Sequence, residues 1–133
     1  MSYATAAQQA IFNALNGEIG PTVYDAAPFL PEGAPSTSFP YVVIGDDTFA
    51  PWDTDDSTGA NVTVTLHIWT RAESHKPGKA IADAIYATLH RQQLTLTGYS
   101  FTDCQLQFAE FMRDPDGVTR HGVLRYRLTF TTA

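Results

Sequence analysis

Asp53, Asp55 and Ser57 stand at alternate positions, the spacing with which a calcium loop presents its oxygen ligands. The rest of that pattern is missing. Gly59 comes one place too late for the sharp turn, and Val64 stands where the bidentate glutamate belongs. The four histidines, His67, His75, His90 and His121, fall on separate elements, and a single cysteine cannot complete a zinc set with them. His67 on the polar phase of its strand and His121 near a hairpin turn leave open one site bridged in space. Ser74 beside His75 is a neighbouring pair in a turn, with no Gly-x-Ser-x-Gly elbow, phosphate-binding glycine loop or dinucleotide fingerprint anywhere in the chain. Cys104 lies on the apolar phase of a strand, so it reads as a buried, inert thiol. Asn61-Val62-Thr63 matches a glycosylation acceptor, but it sits in a strand of a chain whose lone cysteine suits a reducing cytoplasm. No catalytic, metal or cofactor-binding set emerges, and the chain does not read as an enzyme.

Docking chemistry is better represented. The run FPYVVIGDDTFAPWDTDD starts as a buried strand and ends as an acidic loop carrying Asp46, Asp47, Trp52, Asp53, Asp55 and Asp56. Trp52 in that loop and Trp69 on the polar phase of its strand are large aromatics where solvent is expected. Aromatics and arginines in such places are enriched at protein interfaces. Trp69 can equally pack beneath the long loop of its own subunit. Arg125 and Arg127 alternate with Tyr126 and Leu128 and so project from the face opposite the core. The putting together of acid and base is uneven along the chain. Residues 1–70 hold eight acidic residues and no Lys or Arg, whereas residues 71–133 hold all eight basic residues against six acids. A nucleic-acid binder would need a strong basic stripe, so no specific nucleic-acid partner is expected. An acidic surface on one copy could face a basic surface on the next, or both could simply be solvated. Mutual repulsion within residues 46–59 predicts a loop that is mobile until a positively charged partner orders it.

The elements that must carry these residues are legible from periodicity. At 133 residues the chain is long enough for one domain with its own core, residues 1–133. No apolar run reaches the ~20 residues needed to cross a bilayer, and the N-terminal stretch lacks a basic region and reads as a helix rather than a signal peptide. Ala7, Ala10, Ile11, Ala14 and Leu15 recur at helical spacing before an Asn16-Gly17 stop. A short strand at 22–26, a Pro-rich extended stretch at 28–40 and an apolar strand at 41–45 follow. Residues 61–71 alternate cleanly, with Val62, Val64, Leu66 and Ile68 on one side. Ile81, Ile85 and Leu89 stripe a second helix, with His90 and Arg91 placed in its last turn to suit the helix dipole. The last third reads as a long hairpin turned at Asp114-Pro115-Asp116-Gly117. Cys104, Leu106, Phe108 and Met112 are assigned to one face of its first strand, and Gly122 to a bulge in its second. The fold class is therefore α+β: a mostly antiparallel sheet of four to five strands, two helices packed on one face, and a long C-terminal β-hairpin.

The order of motifs, FPYVVIG, then VTVTLHIWTR, KAIADAI, ATLH, LTLTGY and finally RDPDGVTRHGVLRYR, resembles the small tailed-phage proteins called tail-completion, tail-terminator or head–tail joining proteins. Members also occur in prophages and gene transfer agents. The likeness spans nearly the whole chain, although residues 28–40 match no motif of the family. The resemblance implies a structural virion protein that forms a ring, typically a hexamer, at the head-proximal end of the tail tube. Such a ring ends tail polymerisation and joins tail to head. The partners implied are further copies of the chain, the major tail-tube protein and head–tail connector proteins, with no membrane. The location implied is the head–tail junction of a virion assembled in the bacterial host cytoplasm. The family has no catalytic residues to carry over. A neck or head–tail connector subunit of the same fold is the alternative, and a small hydrolase using His67 or His121 is a more distant one.

Overall fold

A computed structural model describes residues 2–24 and 39–132. In chain order the elements are α1 (Tyr3–Leu15), β1 (Thr22–Tyr24), β2 (Tyr41–Pro51), β3 (Gly59–Arg71), α2 (Lys76–Leu89), β4 (Tyr99–Arg113) and β5 (Thr119–Thr132). The strands form one sheet in the order β1-β2-β3-β5-β4. Every pairing is antiparallel except β1 with β2. This is the α+β architecture expected from the pattern.

Both helices cover the same face. Ser2 caps α1 by accepting the Thr5 amide, and the helix turns Ala6, Ala7, Ala10, Ile11 and Leu15 inward. Its alanines let the helix backbone lie close to the sheet. α2 has Pro77 in its first turn, where a missing N–H costs nothing, and buries Gly78, Ile81, Ile85 and Leu89. Beneath them lie Val62, Val64, Leu66 and Ile68 of β3 and Leu124, Tyr126, Leu128 and Phe130 of β5, all at or near zero exposure. Period-two alternation in β3 and β5 therefore fixes which residues make the core. The opposite face carries no helix among the described residues.

Four expectations need correction. β2 does not stop at Gly45: it continues to Pro51 paired with β3, and a register shift between Ile44 and Asp47 absorbs the break in alternation. Asp46 and Asp47 thus belong to a strand, and the acidic loop shrinks to residues 52–58. That loop is tied internally by Trp52 N–H to Gly59 O at 2.9 Å, Thr54 N–H to Ser57 O at 2.8 Å and Gly59 N–H to Asp53 Oδ1 at 3.1 Å. In β4 the register shifts at Thr102 and Gln107. The second shift sends Phe108 and Met112 to the open face and brings Ala109 and Phe111 to the helix side with Cys104 and Leu106. Gly122 is no bulge, since β5 pairs with β3 straight through it. A Cβ there would lie 3.2 Å from the Phe111 ring, so glycine makes room for that ring. Finally, α2 ends at Leu89. His90 Nδ1 accepts the Leu106 amide at 3.1 Å, and Arg91, at φ 57°, donates its N–H to Cys104 O at 2.7 Å. These two residues cap the outer edge of β4 rather than the helix dipole. Of the short strand expected at 22–26, Asp25 and Ala26 lie outside the described residues, as does 28–38 of the Pro-rich stretch.

Candidate interaction surface

The open face of the sheet is built from the polar phase of β3 and β5. Thr63, Thr65, His67 and Trp69 stand beside Arg127, Arg125, Val123 and His121, each pair cross-strand neighbours. Near one end of it, two positions from the last β3–β5 pair, three rings stack. Trp69 lies over His121 with centroids 3.9 Å apart and planes 7° from parallel. His67 Nδ1 and His121 Nε2 are 2.7 Å apart and share a hydrogen bond. One ring must donate and the other accept, so at least one is neutral. Burial lowers the His67 pKa against the opposing pull of Asp46, and burial together with His67 lowers that of His121 against Asp114. The two histidines that the sequence left as a bridging possibility do meet. They hold each other, however, and no group of three metal-ligating side chains forms among the described residues.

Two shallow concavities lie further along the face, one beside His67 and one at the opposite end of the strands. In one, Asp46, Asp47 and His67 face Arg125, whose guanidinium lies 5.4 Å from the centre of the Phe108 ring. The acidic and basic residues singled out from separate thirds of the sequence therefore share one subunit's surface. In the other, Trp52, Asn61, Asp103, Arg127 and Thr129 come together. Thr129 Oγ1 donates to Asn61 Oδ1 at 2.6 Å, and Gln105 Nε2 donates to Asp103 Oδ2 at 2.6 Å. Arg127 Nε is buried with no hydrogen-bond partner among the described residues. Such an atom is costly to leave unmet.

Around the acidic loop, Asp53 holds Gly59 and Asp56 Oδ1 accepts from Thr54 Oγ1 at 3.2 Å, whereas Asp55 is exposed. Trp52 is 37% exposed at the loop's start. Of the remaining candidates for chemistry, Ser74 Oγ accepts the Lys76 amide at 3.3 Å, and burial pushes the Cys104 thiol up to about 12, leaving a negligible fraction of thiolate near neutrality. The arrangement suits recognition of another protein surface: stacked aromatics, threonines and arginines on rigid strands. The His67–His121 contact was the feature hardest to foresee, because only the β3–β5 register brings those rings together.

The fold is that of a phage tail-completion subunit. The family described as "Tail completion protein gp17" matches residues 4–131, and the chain belongs to that family. It is 37% identical over 94 residues to the "Tail completion protein gp17" of Bacillus phage SPP1, covering 68% of this chain and 67% of that one. Among solved structures, it is similar to a chain of the virion of a native gene transfer agent particle. There the TM-score is 0.81 at 25% identity, over 98% of this chain and 99% of that one. It is also similar to the structure of the bacteriophage SPP1 gp17 protein, with a TM-score of 0.61 at 27% identity over 95% and 89% of the two chains. Its role is thus a structural one in a phage-type tail.

Proposed function

We propose that residues 1–133 act as one unit that assembles into a ring, hexameric by resemblance, at the head-proximal end of a tail tube. The ring ends polymerisation of the tube and offers a surface to the head connector. The observation that carries this reading is the end-to-end likeness to a chain that sits in an assembled virion, over 98% of one chain and 99% of the other. The open face supports it. Trp69, Arg125 and Arg127 stand on rigid strands, and Asp46, Asp47, Trp52, Asp53, Asp55 and Asp56 line its margin and the adjoining loop; together they form the surface offered to tube and connector proteins. Assembly takes place in the host cytoplasm before the finished virion forms. The reading assigns no reaction to the protein.

The test mixes the purified protein with tubes of its own tail-tube protein and images them by negative stain. Capping at one end, with tubes of defined length, is expected. A variant with Trp52→Ala, Asp53→Asn, Asp55→Asn and Asp56→Asn should fold yet cap poorly, and capping by the parent should weaken as salt rises. Protein that ignores tubes but binds purified connectors would instead assign it to the neck.

A further inference from the structure

The two edges of the sheet are finished differently. A strand edge leaves N–H and C=O groups unpaired and invites an added strand unless the sequence blunts it. On the β2 side, β1 covers Tyr41, Val42 and Val43. The rest of that edge opens with a register shift between Ile44 and Asp47, carries Asp46 and Asp47 at one end and reaches Pro51 at the other. Phe49 between them is 51% exposed but leans on Tyr3 of α1, with ring centroids 5.4 Å apart. A bulge, like charges and a proline are devices that discourage strand addition.

The β4 edge is blunted over only part of its length. His90 and Arg91 take up the Leu106 amide and the Cys104 carbonyl. From Gln107 to Arg113, β4 pairs with β5 on one side and with no strand on the other among the described residues. That stretch contains no proline, and its two charges, Glu110 and Arg113, are of opposite sign. Gln107 to Glu110 are all exposed, Phe108 by 42%. On the helix side the same stretch borders a groove of about 300 Å³. Lys79, Asp83 and Tyr86 of α2 and Leu106, Ala109 and Phe111 of β4 are among its walls. Lys79 and Asp83 stand one turn apart on the helix, so their opposite charges leave the groove no net charge.

We infer that β4 from Gln107 to Arg113 accepts an added strand: an extended, uncharged segment of a partner protein, one of whose apolar side chains fills the groove. The backbone decides the conformation of the occupant. Unpaired groups spaced along a strand are matched by another extended chain, with pockets beside the edge choosing its side chains; a docked helix would leave them unpaired. The groove decides the side chain. Its walls are largely apolar and its rim is neutral, so a charged side chain would lose its water without a net attraction to replace it. Side chains alternate across a strand, so the neighbours of the anchor fall on the open face, over Phe108. One segment thus answers both the groove and the exposed phenylalanine. A second copy is the weaker occupant. Its β2 edge is blunted, and β4 against β4 is a twofold contact that closes at two copies.

The probe is a blocked heptapeptide with threonine, a strand-favouring residue, everywhere but a variable central position. Binding to the isotope-labelled full-length protein is followed by amide chemical shifts. With leucine at the centre, alternate amides between 107 and 113 should shift and saturate, and binding should be at least about fivefold tighter than with alanine. Aspartate or lysine at the centre should bind more weakly than alanine. Ala109→Trp, which fills the groove, should lose the preference for leucine while circular dichroism stays that of the parent. In tails assembled with the protein, hydrogen exchange over 107–113 should slow at least about tenfold relative to the free protein. A leucine peptide no tighter than the alanine one, shifts confined to other strands, or equal exchange in tails and in free protein would each overturn the inference. Slowing that appears in the protein alone as its concentration rises would put a second copy on β4 and overturn the assignment to a partner protein.

Discussion

Acidification should loosen the stacked rings of the open face, and the size of the effect follows from the His67–His121 pair. Both rings have pKa values lowered from the ordinary 6.5 by burial. The folded state therefore binds fewer protons than the unfolded state once the pH falls below that value. Stability from the pair is fully present above pH 6.5 and is lost progressively below it. A histidine that stays neutral when folded would lose about 1.4 kcal/mol between about pH 7.5 and about pH 5.5. The first proton can be shared across the 2.7 Å hydrogen bond, so burial alone opposes it. The second would place two like charges in contact. Trp69 works in the other direction, because a charged His121 over its face gains a cation–π attraction of about 0.5–1 kcal/mol at an exposed site. Burial and the neighbouring ring outweigh it in setting the direction for His121. Since both rings are only half-buried, water screens part of the cost, and the net loss should not exceed about 1.4 kcal/mol, that of one ring held neutral. At a slope of about 1.5 kcal/mol per molar urea the unfolding midpoint should fall, by at most roughly 1 M. The control is the double variant His67→Gln/His121→Gln, which keeps every carboxylate and so isolates the pair. Equal losses for parent and double variant over this pH step would refute the argument, and so would a parent that gains stability on acidification.

Three further outcomes are expected. Gly59→Ala would set a Cβ 2.7 Å from Phe130 O and 2.8 Å from Trp52 O; both are backbone atoms, so the overpacking should cost about 2 kcal/mol. With an unfolding entropy of about 2.1 cal/mol/K per residue over the 133 residues, calorimetry should find Tm lower by about 7 °C. Cys104 is fully buried, so a bulky thiol reagent should label it only as fast as the protein unfolds, and Cys104→Ala should cost about 1 kcal/mol or somewhat more; rapid labelling of the native protein would contradict this. Asp116 accepts from the Thr119 hydroxyl and from the amides of Thr119 and Val118, which holds its carboxyl at about 2; a carbon-detected NMR titration should find it still ionised near pH 3, whereas a midpoint in the usual carboxylate range would show the turn to be open.

How much of this was legible in the sequence depended on whether one strand kept one phase. β3 alternates without interruption, and its buried set was readable residue by residue. The hairpin turn was equally plain, because Pro115 and a Gly117 at φ 81° meet its backbone demands. β2 and β4 were misread wherever a register shift changed the phase. Two aspartates after Gly45 looked like the start of a loop because the shift there hides the continuing ladder. Phe108 looked like core because the shift at Gln107 carries no compositional mark. Of the surface residues, Trp69, Arg125 and Arg127 were placed on the open face by alternation alone. The groove beside Phe111 and the exposed Phe49 were out of reach, since both depend on which strands end up at the edges of the sheet.

The strand order also governs how the molecule is made. β5 comes last in the chain but lies inside the sheet, between β3 and β4. Until it arrives, β3 and β4 face a gap one strand wide. At a synthesis rate of about 5–20 residues per second, the stretch from Arg71 to Thr132 takes roughly 3 to 12 seconds. Throughout that interval Val62, Val64, Leu66 and Ile68 have no β5 beside them, and the pairings that bury them join distant parts of the chain, a slow kind of folding step. The sheet therefore closes only after its last strand has left the ribosome. A chain that stops before β5 lacks both ladders that β5 makes, one with β3 and one with β4, and with them half of the open face.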